Sequence, residues 1–261
     1  MVTVSTTGVA DTLINLKGSS IDPIKTLEVV NWNLEWFGST TLGPTNDNLQ
    51  EQNVKTVLQN TGADLYGLVE VVDEARLANI VSQMPGYSYV ICNYGSHTNI
   101  NEAGATPLSE AQKEAFVYKT SMFSNISTTP LLTQGINSSA DLTNPAYNYF
   151  SSGRFPFMMT ADVNLNGDTK TIRFVLLHAK ANTSPTATAY DRRKRGSDTL
   201  HFTLNNLYPN DNIILLGDFN DDLDQSITDG FTTTSYSAFT TDNTNFFSPT
   251  LALSLAGKKS T

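Results

Sequence analysis

Four short apolar runs in this sequence each end in polar residues of a chemically capable kind. LEVVNW leads to Asn33 and Glu35, DLYGLV to Glu70, IRFVLL to His178, and IILLG to Asp218 and Asn220. Apolar runs of this length with β-branched and aromatic members read as buried strands. In α/β sheets, ligand sites gather where strands end and loops converge. A chain with four strands closing on Asn, Glu, His and Asp must therefore fold so that those ends can share one edge of a layered structure.

The segments between these runs supply the other elements. Asn46 or Asp47 can cap a helix carrying Val54, Val57 and Leu58, which ends near Gly62. Leu77, Ile80, Val81 and Met84 mark a second amphipathic helix, stopped by Pro85-Gly86. Tyr87 to Cys92 and Ala115 to Tyr118 read as strands, with a loop from Tyr94 to Pro107 between them. Phe157 to Val163 and Thr171 to Leu177 form a hairpin around Asn166-Gly167, a strong turn pair. Leu200, Leu204 and Leu207 place a helix starting near Thr188. Beyond Asp221 the pattern weakens into Thr, Ser and Asn with scattered aromatics. Residues 1–25 are rich in Thr, Ser and Gly and read as a leader or linker from a preceding domain, with one domain over 26–261. Mixed strands alternating with helices predict a layered α/β domain.

Composition narrows the function classes. The 261 residues carry 16 basic and 25 acidic side chains, a net charge of −9. An acidic surface repels phosphates at long range and argues against a passive nucleic-acid coat. It is compatible with an enzyme in which a divalent cation supplies positive charge locally. No apolar run is long enough to span a membrane, and no stable membrane association is expected. Met1 to Gly18 lack the basic and apolar segments of a signal peptide. The one cysteine, Cys92, cannot form an internal disulfide and reads as a buried small hydrophobe. Few lysines and much Thr, Ser and Asn hint at a secreted or cell-surface bacterial protein. A monomer is expected.

The residue types point to one chemistry. Glu and Asp are oxygen ligands for hard cations. Asn can hold a phosphate oxygen or a water without adding charge. His can act as acid or base, or donate to a developing oxyanion. The set fits metal-assisted hydrolysis of a phosphate ester. It does not fit zinc, since no His/Cys cluster has ligand spacing, and there is no nucleophile elbow or Gly-rich phosphate loop.

NWNLEWFG at 31–38, GLVEV at 67–71, LLHAK at 176–180 and LGDFND at 216–221 come in the order and rough spacing of the endonuclease/exonuclease/phosphatase superfamily. The resemblance spans about residues 27 to 225. It implies a four-layer α/β sandwich like deoxyribonuclease I, with two packed mixed sheets flanked by helices. It also implies a cation, Mg2+ or Ca2+ or Mn2+, held by Glu70 with Glu35. Asn33 would help to place metal and water, and Asp218 and Asn220 would orient the water and contact the scissile phosphate. His178 matches a histidine of the deoxyribonuclease I and sphingomyelinase branches. KEAFVY at 113–118 resembles the segment whose Glu pairs with that histidine, so Glu114 would fix one tautomer of His178. GRFPF at 153–157 resembles an Arg-x-Pro element, so Arg154 could fork onto a phosphate. The implied function is a phosphodiesterase acting on nucleic acid, an endonuclease. The rivals are a sphingomyelinase or inositol phosphate phosphatase, for which Phe246-Phe247 is the one candidate membrane contact, and an inactive ligand- or protein-binding domain of a larger chain.

Each assignment has a plainer rival. Glu70 could be an ordinary strand-end carboxylate, Asp218 and Asn220 an Asx turn, His178 a structural histidine, and Glu114 part of a surface turn. GDFN downstream favours chemistry. Arg192, Arg193, Lys194 and Arg195 read as a solvated helix face, with phosphate steering by one or two as the alternative. His97 reads as loop, His201 as helix surface, and Trp32 and Trp36 as core. The superfamily normally closes on a late Ser-Asp-His element, and no Asp-His pair follows Asn220. Either the chain is a fragment or its ending has diverged, and the missing strands and histidine predict weak or no activity, with cation binding retained at Glu70.

Overall fold

The computed structural model describes residues 26–134 and 143–258. The reading of residues 1–25 as a leader lies outside them. Two four-stranded sheets stack face to face. The first has the order β1-β2-β4-β3, built from β1 (Val29–Phe37), β2 (Leu65–Val71), β3 (Tyr87–Ile91) and β4 (Lys113–Lys119). The second runs β5-β6-β7-β8, from β5 (Phe123–Pro130), β6 (Phe157–Leu165), β7 (Asp168–His178) and β8 (Asn212–Asp218). Both sheets are mixed: β1/β2 and β7/β8 pair in parallel, and the other neighbours are antiparallel.

Strand alternation divides the core into three layers. On β2, Tyr66 and Leu68 face α1 (Asp47–Thr61) and α2 (Glu74–Ser82). Leu65 and Val69 face the second sheet and meet Phe157, Phe174 and Leu176. On β7, Val175 and Leu177 face outward onto Leu200 and Leu204 of α4 (Thr186–Leu207). The central strands are thus apolar on both faces, which is why they read as unbroken runs. Gly67 lets the sheets close: a Cβ there would lie 2.7 Å from Leu216 Cδ1.

The helix signals act as expected. Asn46 caps α1 by accepting from Leu49 N at 3.0 Å, and Gly62 ends it in left-handed conformation, φ 60°. Asn166 (φ 56°) and Gly167 (φ 93°) make the β6–β7 turn, the twist that a two-residue hairpin needs. Three pieces carry little sequence signal. β5 is an edge strand of Ser and Thr, and α3 (Pro145–Tyr149) and α5 (Ser237–Thr240) are short. α5 and the chain around it bury Tyr236 and Phe239 against α4. His201 is accordingly not bare helix surface: its Nε2 lies 2.9 Å from Asp242 Oδ2, and its ring packs on Phe239 and Phe246. Phe247 is 87% exposed. No helix among the described residues is long and apolar enough to cross a membrane.

Candidate active site

The same alternation gathers the polar residues. Val29 faces the inter-sheet gap, so Asn33 does too; Phe116 faces it, so Glu114 and Gln112 do; Phe174 and Leu216 carry His178 and Asp218 to the same side. These positions lie where the regular pairing of β1 stops at Asn33, at the carboxyl ends of β7 and β8, and at the start of β4, which runs the other way. One rim of the gap between the sheets therefore collects all five.

Glu70 breaks the alternation, since its place on β2 belongs to the helix-facing side. A double irregularity re-aims it. Asn33 pairs with Val69 and Phe37 with Val71, so three residues of β1 oppose Glu70 alone. Glu70 (φ 64°), Glu35 (φ 53°) and Trp36 (φ 55°) all take left-handed backbone there. The Glu70 carboxylate is then held from three directions. Asn33 Nδ2 donates to Oε1 at 2.9 Å, and Trp36 N and Gln112 Nε2 donate to Oε2 at 3.0 and 2.6 Å. Asn33 Nδ2 also donates to Asp218 Oδ2 at 3.0 Å, so one amide nitrogen bridges the two carboxylates. Asp218 Oδ1 accepts from Asn220 N at 3.0 Å in an Asx turn, with Asn220 at φ 50°. The Asx-turn reading and the site reading of GDFN are the same geometry.

Behind the carboxylates sits a buried second layer. Arg154 Nη1 donates to Gln112 Oε1 at 2.7 Å and lies 3.1 Å from His178 Nε2. Its Nη2 donates to Ser151 Oγ at 2.7 Å and to the Ala179 carbonyl at 2.8 Å. Asn220 Nδ2 donates to the same carbonyl at 3.2 Å. His178 Nε2 is 3.5 Å from Glu70 Oε1 and 3.9 Å from Asp218 Oδ2.

A sequence model of the Endonuclease/Exonuclease/phosphatase family matches residues 30–255. The chain belongs to that family. Enzymes of this family are phosphoric ester hydrolases, and they generally use divalent metals. No curated protein is significantly similar in sequence. Among solved structures, the human Nocturnin catalytic domain with bound sulfate anion aligns over 90% of this chain and 77% of its own, with TM-score 0.56 and 16% identity. An endonuclease/exonuclease/phosphatase family protein from Bacteroides thetaiotaomicron aligns over 82% and 67%, with TM-score 0.51 and 17% identity. The mannosyl-6-phosphatase of B. thetaiotaomicron VPI-5482 aligns over 82% and 70%, with TM-score 0.50 and 16% identity. At such identities the likeness speaks to the fold, which is the deoxyribonuclease I-like sandwich that the sequence resemblance implies.

Within this family frame, several residues stand differently from their sequence-based expectation. Glu35 is exposed and its carboxylate joins no hydrogen bond or ion pair among the described residues; only its backbone takes part, with N–H donating to Asn33 Oδ1 at 2.9 Å. Glu35 shapes the bulge rather than lining the cluster. Glu114 does not hold the His178 ring. Its Oε1 accepts from the His178 backbone N at 2.9 Å, while Glu114 Oε2 and His178 Nδ1 are both buried without a hydrogen-bond partner. Burial pushes the Glu114 carboxyl up to about 8, against the pull of backbone donors at His178 and Phe157 and of Arg154. Arg154 is an internal strut rather than an open fork, and burial lowers it to about 10.

The Arg154 contact fixes the state of His178. A guanidinium can only donate, so His178 Nε2 accepts and the imidazole is neutral. Burial and then the Arg154 charge both hold it well below its ordinary value. The 3.5 and 3.9 Å approaches to Glu70 and Asp218 are accordingly not ion pairs in this state. The expected role for His178, donation from a ring oriented by Glu114, is not available at Nε2 here; the donors facing the carboxylates are Asn33, Gln112 and Trp36 N.

Gln112 is the member of the cluster that motif reading passes over. It joins Glu70 to Arg154 and lies two residues before Glu114 on the same strand face, so alternation from Phe116 points to it. The basic cluster on α4 is also only partly a solvated face. Lys194 and Arg195 pair along the helix with Asp198 and Asp191, but Arg193 is fully buried beside Asp221.

The donor set can be tested against a cation. Among the described residues no three or more His, Cys, Asp or Glu side chains form a preformed metal cage. Two carboxylates sharing one amide do fit a hard cation that keeps most of its waters, which is how Mg2+ is usually held. Glu70 and Asp218 would hold it, and Asn33, between them, would set their spacing.

Proposed function

We propose that this chain is a divalent-cation-dependent phosphodiesterase acting on nucleic acid. The observation that carries the reading is the Asn33 bridge. One amide nitrogen fixes Glu70 and Asp218 side by side at the open rim between the sheets, with a neutral imidazole beside both. The choice of nucleic acid is supported by KEAFVY, which resembles the deoxyribonuclease branch.

When bound, the cation would polarise the phosphoryl oxygen and make its water more acidic. Asp218, held by Asn33 and by Asn220 N, would orient the attacking water beside the cation that it helps to hold. The neutral His178 Nε2 lies buried 3.9 Å from Asp218 Oδ2 and could accept a proton only after Arg154 Nη1 withdraws from it. Asn220, tied through its side chain to the Ala179 carbonyl, sets the position of the loop that follows β8. Arg154 Nη1 could turn toward a phosphate by giving up Gln112 or His178, and only the second exchange would free His178 Nε2.

The test pairs turnover with binding, because His178 is the one imidazole in the cluster and slow turnover is expected. Hydrolysis of an oligodeoxynucleotide and of bis(p-nitrophenyl) phosphate is measured with Mg2+, Mn2+ or chelator, alongside calorimetric titration of each cation. Asp218→Asn and Glu70→Ala are expected to lower kcat by at least about 100-fold, and Glu70→Ala to abolish the cation heat. A wild-type chain that binds no divalent cation, or a Glu70→Ala variant that binds it equally well, overturns the reading. A preference for p-nitrophenyl phosphate over both diesters makes the enzyme a monoesterase and overturns the diester assignment.

A further inference from the structure

The arginines of this acidic protein divide cleanly. Arg76, Arg173, Arg193 and Arg195 each lie within 4 Å of a carboxylate. Arg154 and Arg192 do not, among the described residues, and they grip adjacent residues of one turn: Arg154 Nη2 donates to Ser151 Oγ, and Arg192 Nη2 to Ser152 Oγ at 3.4 Å. Arg192 is otherwise held by the Asn148 carbonyl, to which Nε donates at 2.6 Å.

A third cation without a carboxylate contact, Lys180, is linked to the same turn through Arg154, which donates both to Ser151 Oγ and to the carbonyl of Ala179. Lys180 follows His178 by two residues, and its Nζ donates only to neutral oxygens, Thr183 Oγ1 at 2.6 Å and the Ala181 carbonyl at 3.3 Å. Its neighbour Ala179 carries the carbonyl shared by Arg154 and Asn220, and its own carbonyl accepts from Arg193 Nη1 at 3.1 Å. Burial lowers Lys180, and the charges of Arg192, Arg154 and Arg193 lower it further. A folded chain with a net charge of −9 has carboxylates to spare, yet here it keeps half-buried like charges together and unneutralised. Such a cluster costs stability unless an anion completes it.

Arg154 already serves the carboxylate cluster. The surplus is Lys180 and Arg192, on the α4 side of His178. We propose that Lys180 and Arg192 form a subsite for a second phosphate, so that the substrate carries a further phosphate beside the ester that is cleaved. This rests on the phosphoesterase reading, and two sources share the chemistry: the neighbouring backbone phosphate of a strand, or a second phosphate on a small molecule.

The test is equilibrium binding to the whole chain, which needs no turnover. The probes are thymidine dinucleotide without a terminal phosphate, with a 5′-phosphate and with a 3′-phosphate, and fructose 6-phosphate against fructose 1,6-bisphosphate. The wild type is expected to gain about tenfold in affinity from the second phosphate in at least one series, and which series responds names the source. Lys180→Gln and Arg192→Gln should each shrink that gain, the pair should remove it, and Arg192→Lys should keep most of it. Melting curves exclude misfolding, and Lys180→Gln is the safer variant because its ammonium holds only loop oxygens. No gain in the wild type for either series, or a gain that survives in a folded double variant, overturns the subsite. A wild type that shows the gain but no cation binding would instead count against the phosphodiesterase reading and leave the subsite standing.

Discussion

Glu70 sits in left-handed backbone that costs a glutamate about 1–2 kcal/mol. Three donors to its carboxylate hold it there. Gly217 solves a related problem without a side chain. At φ 141° its ideal Cβ would lie 1.9 Å from the Leu177 carbonyl oxygen, so any larger residue must push β8 off β7 immediately before Asp218. Gly217→Ala is expected to cost about 3 kcal/mol or more in urea denaturation; a loss below about 1 kcal/mol would show that the strand pair yields easily. Glu114 makes a prediction in pH. Its folded carboxyl is raised to about 8 from 4.5, chiefly by burial, so between those values the unfolded chain has lost a proton that the folded chain keeps. Stability from this group is therefore complete below pH 4.5 and is lost as pH rises toward 8. By pH 7 the loss is roughly 3 kcal/mol. Glu114→Gln keeps an acceptor for His178 N and has no proton to lose, so its denaturation midpoint should lack that decline. A variant that follows the wild-type pH curve removes Glu114 as its source.

At the scale of elements, α4 is tied to the chain after β8 by a buried ion pair. Arg193 Nε lies 3.8 Å from Asp221 Oδ2, both side chains are fully buried, and Asp221 also accepts from Ile227 N and Ser235 N. Removing one partner strands the other charge, so Asp221→Asn should cost about 3–5 kcal/mol. The double variant Arg193→Met with Asp221→Asn should recover part of that loss in a double-mutant cycle; simple additivity would mean that the pair does not act as one unit. This pair also shows what sequence can and cannot reveal. The run DRRKRG has helical spacing and high charge, which describes a solvated face equally well. Only the packing of 221–236 against α4, built largely from Asp, Thr and Ser without periodicity, decides that Arg193 points inward. β5 escapes pattern reading for a similar reason, since an edge strand of Ser and Thr buries too little to show alternation. By contrast β1, β2, β7 and β8 were legible because burial on both faces demands unbroken apolar runs. The polar residues that close their apolar runs, Asn33, Glu70, His178 and Asp218, were legible with them. Glu35 and Glu114 were legible as residue types but not as contacts, because a bulge and a backbone hydrogen bond redirect them.

For the molecule as a whole, the site couples the two sheets. Asn33 and Glu70 belong to the first sheet and His178 and Asp218 to the second, and the Asn33–Asp218 and Asn31–Gly217 hydrogen bonds cross between them. A cation held by Glu70 and Asp218 would span the same gap and bind only when both sheets are in register, so binding should stabilise the whole domain rather than one loop. The linkage is quantitative: a ligand at 100 times its dissociation constant adds about 2.7 kcal/mol. In a chain of this length that corresponds to a rise in Tm of about 5–10 °C. The measurement is a thermal melt in chelator and then in rising Mg2+, Mn2+ or Ca2+ at constant ionic strength, which separates specific binding from screening of the net negative charge. Wild type should rise with the logarithm of cation concentration. Glu70→Ala should stay flat, and Asp218→Asn should respond only at higher concentration. Screening alone would instead lift all three proteins equally and with any salt, and that outcome would remove the cation from between the sheets.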